Sequence, residues 1–338
     1  MGEERLGPPR SGVVEKPDAS PGPRDTSTDL PASPNVPFGG NLEPSLRRSC
    51  DHRLSAIRWF RTDWQRGGAL TGYATYRDEQ DVEQSVVVKL PVPPTELRWL
   101  RRLQGHDVVP TLYASGEAVN GYDFAWVIME RLPHGPLGPA WHGNEFDLLV
   151  DVAARFHAAA SNYDIDQPGR QKDWHAILKQ ARDAVQRNHL PQTQQWKEAL
   201  KKANRKLDKW IEVWEQRPIN QWCHGDLHLA NALTRREPPQ GPALLIDLAQ
   251  VHAGHWIEDA LYFEHLYWPH RDHLNGRKLC SMIARQRRNL GLTVEDDWAR
   301  LASVRRALLA MSTPAALSQQ PEYQLIPAAL EVLEIEAG

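Results

Sequence analysis

Cysteine is scarce in this sequence, with three residues among 338 and no Cys-x-x-Cys spacing. This pattern disfavours a disulfide framework and a structural zinc site, and it suits a reducing compartment. No apolar run approaches the ~18 residues that cross a bilayer, and the N-terminus has no apolar stretch typical of a secretory signal. We therefore expect a cytoplasmic protein without a membrane partner.

An excess of positive charge is also missing, because 43 Asp and Glu outnumber 40 Lys and Arg and the formal charge is -3. Nucleic-acid binders carry a basic footprint, so we expect no nucleic-acid partner. Phenylalanine is rare, with six residues, whereas tryptophan is frequent, with 13. Large amphipathic rings serve either a core or a binding pocket.

The first part of the chain lacks the apolar residues that a core needs. Residues 1–48 hold nine of the 26 prolines and a single aromatic residue, Phe38. Such a segment buries too little apolar surface to offset its ordering entropy. We expect a disordered tail, with docking of part of it on the body as the alternative. The remaining length suits two lobes, residues 49–132 and 133–338, divided at a segment rich in helix and strand breakers.

Strand-like patterns dominate residues 54–130, and the first of them leads into a glycine-rich turn at 66–72. The backbone N–H groups of this turn, at Gly68 and Gly72, can approach a phosphate. A plain hairpin loop has the same composition, so both interpretations stay open.

The strand at residues 85–90 carries a lysine in an apolar setting. Its period-two alternation places Lys89 on the same face as Val87. Lys89 is either a solvated edge residue or a cation held for an anionic ligand. A helix follows two prolines, and Glu96 in its first turn is either the partner of Lys89 or an acid favoured by the helix dipole alone.

Helical periodicity dominates the rest of the chain. It predicts helices near residues 144–160, 173–188, 192–216, 257–268, 273–290, 295–312 and 322–335. His157 lies among apolar residues of the first of these helices, and we expect it to be a core histidine and not a ligand.

The densest group of polar side chains lies between two short apolar runs. Asp226 and Asn231 follow the first run, and Asp247 ends the second, at residues 243–248. If the two runs form a hairpin or a pair of adjacent strands, these three side chains lie close together. Two carboxylates and an amide at one place can hold a hard divalent cation and orient a hydroxyl nucleophile.

The order of these features matches phosphoryl transfer. In that chemistry a strand lysine paired with a helix glutamate neutralises phosphate oxygens, and an aspartate accepts the hydroxyl proton. An asparagine five residues later and a second aspartate hold magnesium. The sequence has these residues in the same order: Lys89, Glu96, Asp226, Asn231 and Asp247.

At these residues the chain resembles a known family. The segment His-Gly-Asp-Leu-His-Leu-Ala-Asn at 224–231 resembles the HGDxHxxN loop of the aminoglycoside phosphotransferase and choline kinase-like family. Residues 246–247 resemble its metal-binding strand end, residues 254–261 its Gly-Asp-Pro-x-x-Asp-Leu-Ala segment, and residues 128–133 its adenine-contacting hinge. The resemblance covers about residues 54–312.

The resemblance implies a protein-kinase-like fold of the α+β class with two lobes. The N-lobe would be a small antiparallel β-sheet with one main helix that binds the nucleotide. The larger, mostly helical C-lobe would carry the catalytic loop and the substrate site. The implied activity is transfer of the γ-phosphoryl group of ATP, with GTP as an alternative donor, to a hydroxyl group of an aminoglycoside, a choline-like amino alcohol or a sugar. Mg²⁺ is the implied metal.

The resemblance also implies roles for individual residues. Asp226 would be the catalytic base, His228 would contact the transferring phosphoryl group, Asn231 and Asp247 would bind magnesium, and Asp259 would steady the loop. The implied nucleotide-binding residues are Lys89 with its partner Glu96, Gly68, Gly72, Glu130 and Leu132.

The resemblance does not imply which of these acceptors is used, because the chain departs from the family pattern at 248–249 and 255–256, near the expected substrate side. Glu258, Trp256 and Tyr262 form either an acidic, aromatic pocket for a cationic alcohol or a helix that packs its rings into the lobe.

Two other functions compete with this interpretation. One is a catalytically inactive kinase-like protein that binds a nucleotide or a partner. The other is a metal hydrolase, although no glutamate lies between His252 and His255 in the way that a zincin motif requires. Its candidate ligands are His252, His255, His265, His270 and His273.

Overall fold

The structure, a computed structural model, describes residues 37–60, 69–138, 143–188, 190–317 and 324–338. Within these ranges a small antiparallel sheet precedes a larger set of helices. None of the described helices has the length and apolar character that crossing a membrane requires. The three cysteines are buried, unpaired thiols.

Five antiparallel strands form the N-lobe sheet in the order β1-β2-β3-β5-β4. They are β1 (Arg58–Phe60), β2 (Leu70–Arg77), β3 (Glu83–Leu90), β4 (Leu112–Gly116) and β5 (Trp126–Glu130). The alternation predicted for β3 is confirmed, because Val86 and Val88 are fully buried on one face and Lys89 lies on the other.

A helix that the sequence analysis did not predict covers the buried face of this sheet. Helix α1 spans Pro37–Ser49, and its Leu42 and Leu46 join the apolar cluster of Val86 and Val88. The prediction of disorder through residue 48 is therefore wrong for residues 37–48, and residues 1–36 lie outside the described residues. Leucines four positions apart give this helix an apolar stripe. The high proline content of the segment had favoured disorder over this pattern. The described part of the N-lobe thus has a second helix besides the predicted one.

Helix α2 (Pro94–Arg102), the predicted helix of the N-lobe, packs into an apolar cluster that continues through the C-lobe. Its Trp99 is 1% exposed, and its ring centroid lies 4.9 Å from that of Trp222 and 5.7 Å from that of Tyr163. Such aromatic contacts hold the helix at one position against the C-lobe. Consequently Glu96, in the first turn of α2, has a fixed place beside the sheet.

Helices make up most of the C-lobe, close to the ranges that periodicity predicts, except that two helices replace the single one predicted at 273–290. They are α3 (Glu145–Ala160), α4 (Trp174–Arg187), α5 (Thr193–Glu215), α6 (Ile257–His265), α7 (Arg271–Leu274), α8 (Leu279–Asn289), α9 (Trp298–Leu317) and α10 (Leu325–Ala337).

Two short antiparallel ribbons carry the polar stretch of the C-lobe. Strand β6 (Gln221–Cys223) pairs with β9 (His252–Gly254), and β7 (Ala232–Thr234) pairs with β8 (Ala243–Leu245). The predicted pairing of the run before the polar stretch with the run at 243–248 is wrong. The polar loop turns back on itself, so the strand that follows it, and not the one that precedes it, pairs with β8.

Candidate active site

Lys89 lies between the two lobes and contacts an acid from each. Its Nζ is 2.7 and 2.8 Å from the two carboxylate oxygens of Glu96 and 3.7 Å from Oδ1 of Asp247. The predicted pairing of Lys89 with Glu96 is thus confirmed. Burial raises the pKa of Glu96, and the adjacent Lys89 offsets only part of this effect. Lys89 is therefore the cation that offsets part of the cost of burying the Glu96 carboxylate.

The loop between β6 and β7 closes on itself through Asn231. The side-chain Nδ2 of Asn231 donates to the backbone oxygen of Asp226 at 3.0 Å and to its Oδ2 at 3.1 Å. A 3-10 turn at Leu229–Asn231 brings the two residues together. The spacing of five positions therefore places the carboxylate and the amide side by side, as the sequence predicts.

Two further side chains surround the carboxylate of Asp226. The hydroxyl of Tyr262 donates to Oδ1 at 2.5 Å, and Nε2 of His228 lies 3.5 Å from the same oxygen. His228 Nδ1 accepts from the backbone N–H of Ala230 at 3.1 Å, which leaves the ring proton on Nε2, facing Asp226. Burial by itself raises the pKa of Asp226, but hydrogen bonds from His228 and Tyr262 outweigh it and lower the pKa to about 2. Asp226 is therefore ionised at neutral pH.

Asp259 supports the loop from the first turn of α6. Its carboxylate accepts from the backbone N–H groups of His224 at 2.7 Å and Gly225 at 2.8 Å, and from His157 Nε2 at 3.0 Å. His157 is a fully buried core histidine, as predicted. Burial lowers its pKa despite the neighbouring Asp259, so the neutral ring donates its Nε2–H to the carboxylate.

His224 connects the loop to the strand end that carries Asp247. Its Nδ1 accepts from the N–H of Asp226 at 3.3 Å, and its Nε2–H donates to the backbone oxygen of Ile246 at 3.1 Å. Burial lowers the pKa of His224, which keeps the ring neutral and able to serve as both acceptor and donor. His224 therefore connects the loop at Asp226, the candidate base, to the strand end that carries Asp247, the candidate metal ligand.

Asn231 and Asp247 fit a divalent cation by their chemistry. The N–H of Ile246 donates to the backbone oxygen of Asn231 at 3.0 Å. Asn231 and Asp247 therefore lie at the same end of the β7–β8 ribbon. Because Asn231 Nδ2 points at Asp226, its amide oxygen is turned away from that carboxylate. Asp247 has a left-handed backbone, with φ of 59°, and its side chain is 45% exposed. A carboxylate and an amide oxygen are ligands that magnesium accepts.

Gly225 is required by the close approach of the loop to the β9 side. Its φ is +81°, and a Cβ there would lie 2.3 Å from the backbone oxygen of Gln250. We expect Gly225→Ala to lower the free energy of unfolding by about 3 kcal/mol, since about 1–2 kcal/mol comes from the left-handed backbone and the rest from the clash.

Gly105→Ala is the matched control for this substitution. Gly105 has a φ of +83°, but a Cβ there would have no described atom within 4 Å, so the variant shows the backbone cost alone. Urea unfolding of both variants measures the difference. Equal losses of stability in the two variants would show that the clash with the Gln250 backbone adds nothing to the cost of the substitution.

Of the remaining residues predicted to bind the nucleotide, one has surroundings that differ from the prediction. Gly68 lies outside the described residues. Gly72 is not in a turn: it lies within β2, and a Cβ on it would meet Ile57 and Trp59 on the α1 side of the sheet. Leu132 is 9% exposed just after β5.

Two of the three predicted acceptor residues do not form a pocket. Trp256 is fully buried, and its Nε1 donates to Glu295 at 3.1 Å. Glu258 is also buried, with Arg217 Nε 3.1 Å from Oε1. The predicted acidic, aromatic pocket is therefore wrong for these two residues, because both are used inside the lobe. Only Tyr262 reaches the loop.

A residue that no sequence motif predicts ties the hinge to the C-lobe. Arg235, just after β7, donates to both carboxylate oxygens of Glu130 at 2.7 and 2.9 Å and also binds Asp107. Burial raises the pKa of Glu130, but the hydrogen bond from Arg235 and other contacts outweigh this effect and lower it. No local pattern marks Arg235, because its partner lies 105 positions earlier.

The histidines named for a metal hydrolase are not assembled into a site. Among the described residues, the potential metal ligands that lie together in a group of three or more are Cys223, His252 and Glu258. Glu258 in that group is already paired with Arg217. The hydrolase alternative therefore has no support in the described part of the chain.

Comparisons with known proteins identify a matching family and similar folds. Residues 71–304 match the sequence model of the phosphotransferase enzyme family. A search of curated proteins finds no match. A candidate aminoglycoside phosphotransferase from Ralstonia eutropha JMP134 has a TM-score of 0.54 and 15% identity, over 87% of this chain and 97% of that chain.

Two other solved structures are similarly related. Spectinomycin phosphotransferase, solved with ADP and spectinomycin, has a TM-score of 0.50 and 13% identity, over 88% of this chain and 93% of that chain. An aminoglycoside phosphotransferase from Alicyclobacillus acidocaldarius has a TM-score of 0.50 and 15% identity, over 93% and 95%. At identities this low, the structural similarity shows the fold alone, and the predicted bilobed, protein-kinase-like α+β fold is confirmed.

Proposed function

Because the chain belongs to the phosphotransferase enzyme family, we propose that it transfers the γ-phosphoryl group of ATP to a hydroxyl group of a small molecule, with Mg²⁺ as the metal. The observation that carries the proposal is the position of Lys89 Nζ, 2.7 Å from Glu96 and 3.7 Å from Asp247. This amine connects the N-lobe with Asp247, the candidate metal ligand at the end of a C-lobe strand. In kinase-like phosphoryl transfer, the nucleotide phosphates lie between such a lysine and such an aspartate.

Asp226 is the proposed base. Its carboxylate accepts the proton of the acceptor hydroxyl as the oxygen bonds to the γ-phosphorus, and the bridging oxygen leaves with ADP. The ionised state that follows from a pKa of about 2 suits this role. His228, whose Nε2–H lies beside the same carboxylate, would donate to the transferring phosphoryl group. The intact set of polar residues gives no support to the inactive, binding-only alternative.

Asn231 and Asp247 would hold Mg²⁺, which when bound neutralises charge on the phosphate oxygens. Lys89 would bind phosphate oxygens on the N-lobe side. For the nucleobase we propose the backbone of residues 130–132, since Arg235 already occupies the Glu130 carboxylate. Backbone groups of a hinge serve adenine or guanine, so GTP stays an alternative donor.

The proposal is tested by ADP formation with a panel of hydroxylated acceptors. The panel contains spectinomycin, aminoglycosides, choline-like amino alcohols and neutral sugars, each with ATP and with or without Mg²⁺. We expect magnesium-dependent ADP formation above the rate in water with at least one acceptor. Failure to bind Mg-ATP in calorimetry would contradict the proposal, and binding without turnover by any acceptor would favour the inactive alternative.

Asp247→Ala is expected to weaken the binding of Mg-ATP by about tenfold to a hundredfold, since loss of a metal ligand costs at least as much as loss of its supporting contacts. ATP binding in EDTA should stay nearly unchanged, because Lys89 keeps Glu96 as its partner. Titration calorimetry in the two buffers measures both values. Asp208→Ala, at a side chain that is 87% exposed, is the control. Equal weakening with and without magnesium would contradict the assignment of Asp247 as a ligand.

A further inference from the structure

The carboxylate oxygens of Asp226 both have partners in the protein. Oδ2 accepts from Asn231 Nδ2 at 3.1 Å, and Oδ1 accepts from the Tyr262 hydroxyl at 2.5 Å. Asn231 Nδ2 also donates to the backbone oxygen of Asp226 at 3.0 Å, so its position is set by the loop itself. Nε2 of His228 also lies 3.5 Å from Oδ1, so this oxygen faces two protein donors, and a carboxylate oxygen has two acceptor sites. An incoming hydroxyl must therefore displace Tyr262 to bind Oδ1.

The Tyr262 hydroxyl is chemically similar to the acceptor hydroxyl that Asp226 must bind. Both present an O–H group to a carboxylate, and a separation of 2.5 Å is typical of a strong, charge-assisted hydrogen bond. A phenol, with a pKa of about 10, is a better donor to a carboxylate than water, with a pKa of about 15.7. Water is therefore a poor competitor for Oδ1.

The helix that carries Tyr262 is fixed, whereas the side chain is only partly buried. Leu261 and Phe263, its neighbours in α6, are fully buried, and Asp259 in the same helix holds the backbone of the loop. The Tyr262 ring lies 5.1 Å from the ring of His265, centroid to centroid. Because the helix and the loop are held in place, displacement of the hydroxyl from Asp226 requires rotation of the Tyr262 side chain.

We propose that Tyr262 is a gate on the base: its hydroxyl occupies the place of the acceptor hydroxyl on Asp226 and is displaced only by an acceptor that makes further contacts. The gate rests on the phosphotransferase function proposed above. It has two consequences. Transfer to water is suppressed while the acceptor site is empty, and simple alcohols, which lack additional contacts, are poor acceptors.

The suppressed reaction is ATP hydrolysis. A water molecule would give its proton to Asp226 while its oxygen bonds to the γ-phosphorus. The bond from the γ-phosphorus to the bridging oxygen breaks, and ADP leaves with the electron pair. With Tyr262 on Oδ1, water has to displace a stronger donor from that oxygen before it can give its proton to the base there.

Tyr262→Phe removes the hydroxyl and keeps the ring, so it opens the gate without emptying the space. In the full-length protein with Mg-ATP and no acceptor, we expect hydrolysis to rise about tenfold or more, the factor typical of a lost hydrogen bond to a charged group. Tyr267→Phe is the matched control: this ring packs against Phe146 and Phe263, and hydrolysis should stay within about twofold of wild type. The double variant Asp226→Asn, Tyr262→Phe should return to background, because the added hydrolysis requires the base.

Three measurements separate the outcomes. If the wild type transfers phosphate to an acceptor of the panel but Tyr262→Phe hydrolyses ATP no faster, the gate is wrong and the proposed function stands. If the wild type does not bind Mg-ATP, the proposed function fails and the gate fails with it. If mass spectrometry after incubation with Mg-ATP finds phosphate on Tyr262, the residue is an acceptor and not a gate. Thermal unfolding of each variant verifies that it is folded.

Discussion

Asp226→Asn is expected to reduce the turnover number by about a thousandfold or more and to leave the affinity for Mg-ATP nearly unchanged. Proton transfer by a positioned base contributes about a hundredfold to ten-thousandfold, and the amide of asparagine cannot accept the proton of the acceptor hydroxyl. The proposed phosphate and metal contacts are made by Lys89, Asn231 and Asp247, which the substitution leaves in place. Loss of turnover without loss of nucleotide binding is the signature of an interaction made only in the transition state.

Steady-state kinetics with the best acceptor of the panel, together with calorimetry for Mg-ATP, measures the two effects. Asp208→Asn makes the same chemical change at an exposed side chain of α5 and should keep full activity. Wild-type turnover in Asp226→Asn would show that the base is another group. A parallel loss of nucleotide affinity would instead place Asp226 among the nucleotide-binding residues.

Asp259→Ala is expected to lower the free energy of unfolding by about 3–5 kcal/mol and to abolish activity. Its carboxylate accepts from three groups, the N–H groups of His224 and Gly225 and Nε2–H of His157. Alanine leaves these buried donors without an acceptor, at a cost of about 1–3 kcal/mol for each donor. Since two of the donors belong to the loop before Asp226, the position of the base is lost together with the stability.

Urea unfolding gives the stability, and Asp208→Ala at an exposed position should change it by less than about 0.5 kcal/mol. A loss of activity without a loss of stability would show that Asp259 acts only by placing the loop. If neither property changed, the loop would be held by its own hydrogen bonds, such as those from Asn231 to Asp226.

Much of the site can be predicted from local pattern. The alternation of β3 places Lys89 opposite a buried face, and a first-turn position in α2 places Glu96 where it meets that lysine. The spacing of Asp226 and Asn231 is short enough for one loop to bring them together. In each case the determining residues lie within about ten positions of one another, so sequence pattern is sufficient.

Other features depend on contacts that no local pattern encodes. The strand β6 pairs with β9, almost thirty residues later, and not with the nearer β8. Helix α1 forms because the far side of the sheet offers apolar residues to Leu42 and Leu46. Glu258 has an acidic, aromatic sequence context typical of a cation pocket, but Arg217, 41 positions earlier, takes its charge inside the lobe.

The sequence by itself determined the lobe order, the types of residue at the site and the class of chemistry, because period, spacing and side-chain type are local properties. The tertiary structure alone decided which distant side chain reaches the base. Tyr262 and Asp226 are 36 positions apart, and their contact exists because Asp259 anchors the loop to the same helix that presents Tyr262. Burial and long-range packing set such pairs, and neither is written in the sequence near the residues concerned.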